Sequence, residues 1–529
     1  MGEATGVRAI GRDPTMLVDA AAALAVGVVF AGRGVPLAAQ SGFVDLVRGG
    51  QPLRPAVLAC LAVAVAVTLP ALLPRLPGWP VALGGLLLTF LTDLAVAGGA
   101  HLLPTSSPAP GLLLAALVGV AGTGLALGGA LLAVGQASRP GRRLVAAGLA
   151  GGLVLHPVST ALAVLLLPGT ESHGPRPEVQ LWLPVLLTVG AMAVAWRRAR
   201  VTGPAFAGRF RPGPLLVVGV AATLALVGLT VRWWVVQQFR LSPDGLAGPR
   251  REQAVQGFQY FSAVVLAVVV GLVLLGYAYR LGRAVGARWV VLCVAAGPIS
   301  LYGVRLSFSA APGRACLITA VGVAAVAVGA MLARHAPRLL PWDALGLLVA
   351  AVALPMSAPV VRAELPSVDI VMPLLTVLGL GLAFGFGTAF AATASIGTAS
   401  DAVPTSAPTA PGPAPTASDV ASAAADAVAP AAPGPGVAAP SGPSIARPDI
   451  GGRVALLVLG PAAWMLSAQI LASVVTRSQF DGPYQGPAFT VPVFAGMAAL
   501  LLAAFFGFGR AVDRLRQDLR AESVPLRRP

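Results

Sequence analysis

Four side chains able to exchange a proton or hold a polar ligand interrupt otherwise apolar stretches: Asp93 in LLLTFLTDLAVAGG, His156 in LVAAGLAGGLVLHPVSTALAVLLL, and Trp464 and Gln469 in GPAAWMLSAQILASVV. An ionisable group at mid-bilayer costs about 2.5–3.5 kcal/mol on insertion scales, so a chain that keeps one there has a use for it by default. Asp93 and His156 fall near the centres of their stretches and could bind and release a proton as their surroundings alternate between wet and dry. Trp464 and Gln469, five residues apart, share part of a helical face and suit stacking and hydrogen bonding to a ligand. These four are the candidate substrate- or proton-binding residues. Gly152 and Pro157 are the hinge candidates, because glycine lets helices approach closely and proline removes one backbone donor. Plainer roles compete with each: Asp93 as a neutral or hydrogen-bonded packing residue, His156 satisfying a carbonyl freed by Pro157, and Trp464 and Gln469 as core packing. Asp19, near the inner end of its stretch, reads as a first-turn carboxylate that favours a helix N-terminus.

Nothing else in the sequence carries catalytic chemistry. It has no HExxH, no CxxC pair, no Walker loop and no GxGxxG after a strand, so metal, redox and nucleotide chemistry lack support and no cofactor is expected. Cys60, Cys293 and Cys316 lie in or beside apolar stretches and read as buried free thiols.

The elements that must position these residues follow from composition. A chain of 529 residues, 57% apolar and 11% charged, with repeated uncharged runs of about 20 residues, is an all-α polytopic membrane protein. Spans are expected near 16–39, 55–73, 80–100, 111–135, 144–167, 180–196, 213–231, 259–279, 289–308, 315–333, 341–360, 370–396, 453–475 and 490–509, about fourteen in all. With the N-terminus inside, 24 arginines fall on the cytoplasmic side and 12 outside, together all 36 basic residues, so the positive-inside rule places both termini in the cytoplasm of a multi-pass cell-membrane protein. The net charge of +16 therefore speaks for orientation and anionic lipid, and no nucleic-acid partner is expected. Trp79, Trp182, Trp196, Trp233, Trp234, Trp289 and Trp342 fall at span ends, where interfacial tryptophans are expected.

Five regions are expected: 1–200, a six-helix bundle; 201–287, two additional spans with an outer loop; 288–397, the first four spans of a second bundle; 398–449, a disordered linker; and 450–529, the last two spans with a basic tail. The linker is rich in Ala, Pro, Ser, Thr and Gly and cannot bury enough surface to offset its ordering entropy. Between Arg232 and Tyr260, WWVVQQF and QAVQGFQY flank a turn at Ser242-Pro243-Asp244-Gly245 and suggest short interfacial helices.

An internal repeat sets RLPGW at Arg75–Trp79, entering PVALGGLLL, against RLLPW at Arg338–Trp342, entering DALGLLVA. This pairs the third span with the eleventh, the offset of a six-plus-two-plus-six arrangement built from parallel repeats. Gly152, His156, Pro157, Thr160 and Ala161 fall at the spacing of the GxxxGPxxGG pattern of antiporter span 5. With MPLLTVLGLGLAFGFGTAFAA at Met372–Ala392, these features make the chain resemble the fourteen-span drug:proton antiporter branch of the major facilitator superfamily. The resemblance implies two six-helix bundles plus two extra helices around a midplane site. Three charged positions of that branch are not matched: Pro74 stands in place of the loop aspartate after span 2, Val118 in place of an arginine in span 4, and Gly27 in place of an aspartate in span 1.

The function expected is a secondary transporter that exports a small amphipathic or apolar compound by alternating access, with the lipid bilayer and that small molecule as partners. The second reading is a transporter-derived sensor or scaffold that no longer transports. The third is a polytopic transferase; the first outer loop, RGVPLAAQSGFVDLVRGGQPLRP, offers only Asp45 as the acidic residue such enzymes use.

Overall fold

The computed structural model describes residues 14–34, 53–72, 75–102, 110–138, 141–153, 177–202, 212–241, 249–308, 312–335, 341–356, 368–393 and 450–480, with scattered positions between 496 and 507. The helices are α1 (Pro14–Gly34), α2 (Leu53–Leu72), α3 (Gly78–Leu102), α4 (Pro110–Gln136), α5 (141–153), α6 (Pro177–Thr202) and α7 (Gly213–Leu241), followed by α8 (Pro249–Phe308), α9 (Pro312–His335), α10 (Trp342–Met356), α11 (Val368–Thr393) and α12 (Ile450–Phe480). Among the described residues every regular element is a helix. Among the described residues seven stretches are long and apolar enough to cross a membrane and five shorter apolar helices accompany them, each on a span expected from the sequence. Helices satisfy their own backbone polar groups, which is why uninterrupted apolar runs take this form in lipid. The linker region, both chain ends and the far part of the fifth span, with His156 and Pro157, lie outside the described residues.

α8 is helical over 60 residues, which as a straight rod would reach about 90 Å. It does not run straight. A Cβ on Gly286 would meet the carbonyl of Ala278, and one on Gly271 would sit 3.7 Å from Val294 Cγ1. Straight helix would separate those pairs by about 12 and 34 Å. The chain therefore reverses near Gly282, within the arginine-bearing segment RLGRAVGAR, and α8 is a hairpin of two limbs that match two expected spans.

Helix pairs approach through glycine, where backbones rather than side chains set the distance. α2 packs on α4 in the parallel sense, Gly124 against Val63 and Gly128 against Val67, while α3 packs on α4 antiparallel, with Gly85 against Gly122 and Ala126. The same two senses recur when α9 packs parallel on α11, Gly329 against Leu382 and Phe386, and α10 packs antiparallel on it through Gly346 and Gly379. α1 and α5 cross closely, a Cβ at Gly27 lying 2.6 Å from the Leu149 carbonyl. α12 joins the two sets, packing on α8 and α11 as well as on α2, α4 and α7. Its Gly451–Ala468 stretch is 100% buried, against 28% for Phe261–Gly282 in the first limb of α8, so α12 is central and that limb is peripheral.

Three local expectations change. The two interfacial helices expected between Arg232 and Tyr260 are extensions of membrane helices: α7 continues to Leu241 and α8 begins at Pro249. No proline or glycine lies between Leu229 and Leu241, so nothing ends the hydrogen-bond ladder there. Asp19 lies beyond the first turn of α1, which starts at Pro14, and it is buried, so a carboxylate placed for the helix dipole is not its situation. Trp79 and Trp289 are buried packing residues, whereas Trp196 and Trp234 are exposed as interfacial tryptophans should be.

Candidate functional site

The middle of the helix assembly is marked by an aromatic contact between α1 and α12. Phe30 of α1, fully buried, meets Trp464 of α12 with ring centroids 5.6 Å apart and planes tilted by 37°. That spacing and tilt lie in the favourable range for aromatic pairs. Trp464 is held from behind by the second limb of α8, where Gly297 lets the backbones touch: a Cβ there would lie 2.6 Å from the Trp464 carbonyl. The same carbonyl accepts from Ser467 Oγ at 3.0 Å. The indole Nε1–H of Trp464 is buried and meets no acceptor among the described residues. A buried donor left so costs about 1–3 kcal/mol, which an acceptor brought by a ligand would recover.

Gln469 lies on the same helix one turn further along. Asp93 is on α3, half-buried, with Oδ2 shielded from solvent. It follows a threonine-glycine seam: Thr89 Oγ1 donates to the Gly85 carbonyl at 2.9 Å and across to the Gly119 carbonyl of α4 at 3.0 Å, and Thr92 Oγ1 donates to Leu88 at 2.8 Å. Gly152 is buried at the crossing of α5 with α1, its missing Cβ directed at the Leu24 carbonyl. Among the sequence candidates the structure thus gives Trp464 an aromatic partner on another helix and Gly152 a helix crossing. His156 and Pro157 lie outside the described residues. Val118 lies on α4 and Gly27 on α1, the latter in the crossing with α5.

A second cluster, with no counterpart among the sequence candidates, lies at the arginine-bearing end. Arg288, on the second limb of α8, pairs with Asp343 at the start of α10: Nη2 donates to Oδ1 and Oδ2 at 2.6 Å and Nε donates to Oδ2 at 3.2 Å. The side chains are 6% and 3% exposed. Asp343 Oδ1 also accepts from the Ala344 backbone N–H at 3.0 Å, in the first turn of α10, where the helix dipole favours a carboxylate. The guanidinium lies over the Phe390 ring of α11 at 5.2 Å from its centroid, and Phe390 stacks on Phe386 at 5.7 Å. The signal present in the sequence is Asp343 directly after Trp342 in the second copy of the repeated segment; its partner, 55 residues away, has no local mark.

At the corresponding end of α3 and α4 the contact is neutral. Gln136 Nε2 donates to the Leu76 carbonyl at 2.7 Å and its Oε1 accepts from the Gly78 N–H at 3.0 Å. Cys293 is free and buried as expected, whereas Cys316 is free but only half-buried; the side chain of Cys60 lies outside the described residues. Among the described residues no group of His, Cys, Asp and Glu could hold a metal ion.

No family model matches the chain, and no curated protein matches it in sequence. In three dimensions it is similar to the xylose transporter XylE from E. coli in a partially occluded inward-open conformation, at 10% identity and a TM-score of 0.48, covering 94% of this chain and 98% of that one. It is likewise similar to the human organic anion transporter MFSD10, at 14% identity and 0.45 over 94% and 100%. A peptide transporter, POT, in complex with sulfate matches at 14% identity and 0.48 over 94% of both chains. At these identities and scores none of the three decides a family or a substrate for this chain.

Proposed function

We propose that this chain is a secondary transporter that moves a small amphipathic or apolar compound across the membrane by alternating access, with export as the direction. The observation that carries the reading is the Phe30–Trp464 contact: two aromatic faces from α1 and α12 beside a buried indole donor that the described residues leave without an acceptor. Apolar walls with one or two fixed polar groups are what a small-molecule site needs. The recurrence of one packing scheme in α2–α4 and in α9–α11 supports two repeats that rock about the midplane, with α7 and the first limb of α8 as the additional pair. In this reading Asp93 and His156 serve proton exchange, and Gly152 lets α5 slide against α1 while Pro157 gives it a bend.

The test is efflux. Everted vesicles carrying Trp464→Phe keep the aromatic surface and lose the donor; accumulation in them of an amphipathic substrate bearing a hydrogen-bond acceptor, the in vitro equivalent of export, should fall about tenfold, the value of a single buried hydrogen bond. Transport of a substrate lacking an acceptor should be spared. Asp93→Asn and His156→Gln should abolish dependence on an imposed proton gradient. Absence of any transport in the parent across a panel of toxic amphiphiles would favour the sensor or scaffold reading.

A further inference from the structure

Arg288 and Trp289 are consecutive on the second limb of α8 and face different partners. Arg288 reaches α10 and α11 through Asp343 and Phe390. Trp289 turns to α12: its Nε1 donates to the Leu457 carbonyl at 3.3 Å, and its indole fills the space beside Gly460, where an added Cβ would collide with the ring. The reversal of α8 is in the same contact, since Gly282 and Gly286 both lie against Leu456 of α12. Along its length α12 also packs on α2, α4 and α7, and no part of Gly451–Ala468 reaches the surface.

We propose that the Arg288–Asp343 pair is a positioning latch for α12: it fixes the second limb of α8 in the rotation that lets Trp289 brace α12 against α2 and α4, holding the arginine-bearing end closed. The physical case rests on geometry. A guanidinium held by two short hydrogen bonds, a third at 3.2 Å and one aromatic face has one orientation, and the residue after it on a helix is then turned by about 100° to a fixed direction. Releasing the pair removes the ionic constraint on that rotation and leaves Trp289 its packing on α12 and its single hydrogen bond to Leu457. A buried charge without its partner is also driven toward water, and the nearest route is the arginine-bearing end itself. Opening of that end is thus linked to opening of the pair. Arg288 and Asp343 are positioning residues in this scheme and touch no substrate, so the inference stands or falls apart from the transport reading above.

Accessibility of α12 tests the latch without any substrate. Leu456→Cys, in a chain whose three native cysteines are replaced by serine or alanine, is a reporter on the buried face of α12. Vesicles of both orientations, exposed to a membrane-impermeant maleimide, should leave the parent reporter unlabelled. Asp343→Asn and Arg288→Met should each raise its labelling rate several-fold from the arginine-bearing face alone, and the exchange Arg288→Asp with Asp343→Arg should bring it back toward the parent. Single variants that insert and purify as one species yet label like the parent would overturn the latch, as would loss of thermal stability with labelling unchanged. Where the single variants do not accumulate, the apolar double variant Arg288→Met with Asp343→Leu decides the matter: raised labelling supports the latch and parental labelling refutes it.

Discussion

Two ends of helices at equivalent places in the packing scheme are tied in opposite ways. Where α3 starts beside the end of α4, a single glutamine closes the contact with two neutral hydrogen bonds to backbone. Where α10 starts beside the end of α11, a buried ion pair does so, tightened by a backbone amide and an aromatic ring. The neutral contact can open and be rehydrated at small cost, because backbone groups exchange one partner for water. The ionic one is all or none, since half of it is an uncompensated charge in a dry place. The difference predicts that the α8–α10–α11 end resists opening more than the α3–α4 end does.

The largest effect should come from breaking the ionic end. Asp343→Ala leaves Arg288 buried without this partner and should lower the stability of the purified protein by about 3–5 kcal/mol, read as a fall in the midpoint of thermal unfolding in detergent. Replacing both partners together by Met and Leu should recover most of that loss, because an apolar pair of similar volume avoids the desolvation of two charges. A smaller effect is expected at the neutral end: Gln136→Ala should cost about 1–2 kcal/mol for two hydrogen bonds to groups that water can reach, with a midpoint shift well short of that of Asp343→Ala. A Gln136→Ala shift as large as the Asp343→Ala shift would erase the contrast between the two ends. The smallest is Phe390→Leu, which keeps apolar volume and removes the ring beneath the guanidinium; about 0.5–2 kcal/mol should be lost, and none of it when Arg288 is already Met.

Much of the architecture is legible in the amino-acid sequence. Uninterrupted apolar runs have only one stable form in lipid, so the helices and their approximate bounds follow from composition. The repeat of RLPGW in RLLPW points to the two places where the opposite contacts lie, and Trp464 stands out as the one tryptophan inside a span. Other parts are not legible. Trp79 and Trp289 look interfacial in a window of 20 residues, yet both are buried because neighbouring helices cover the span ends on which they sit. The two limbs of α8 are separated by no proline, so their boundary lies only in glycines of the kind that recur throughout the chain.

The sequence by itself determined the helical, apolar class of the chain and the places of Asp93 and Trp464 along their helices, since each depends on the order of residues along one helix. Only the tertiary structure decided which arginine of RLGRAVGAR is buried, that its carboxylate lies 55 residues away, and that Phe30 is the ring facing Trp464. These depend on the rotation of one helix against another. In a chain whose helix surfaces are nearly uniform in Ala, Leu, Gly and Val, no periodic pattern marks the inward face, and backbone approach at a few glycines sets that rotation instead.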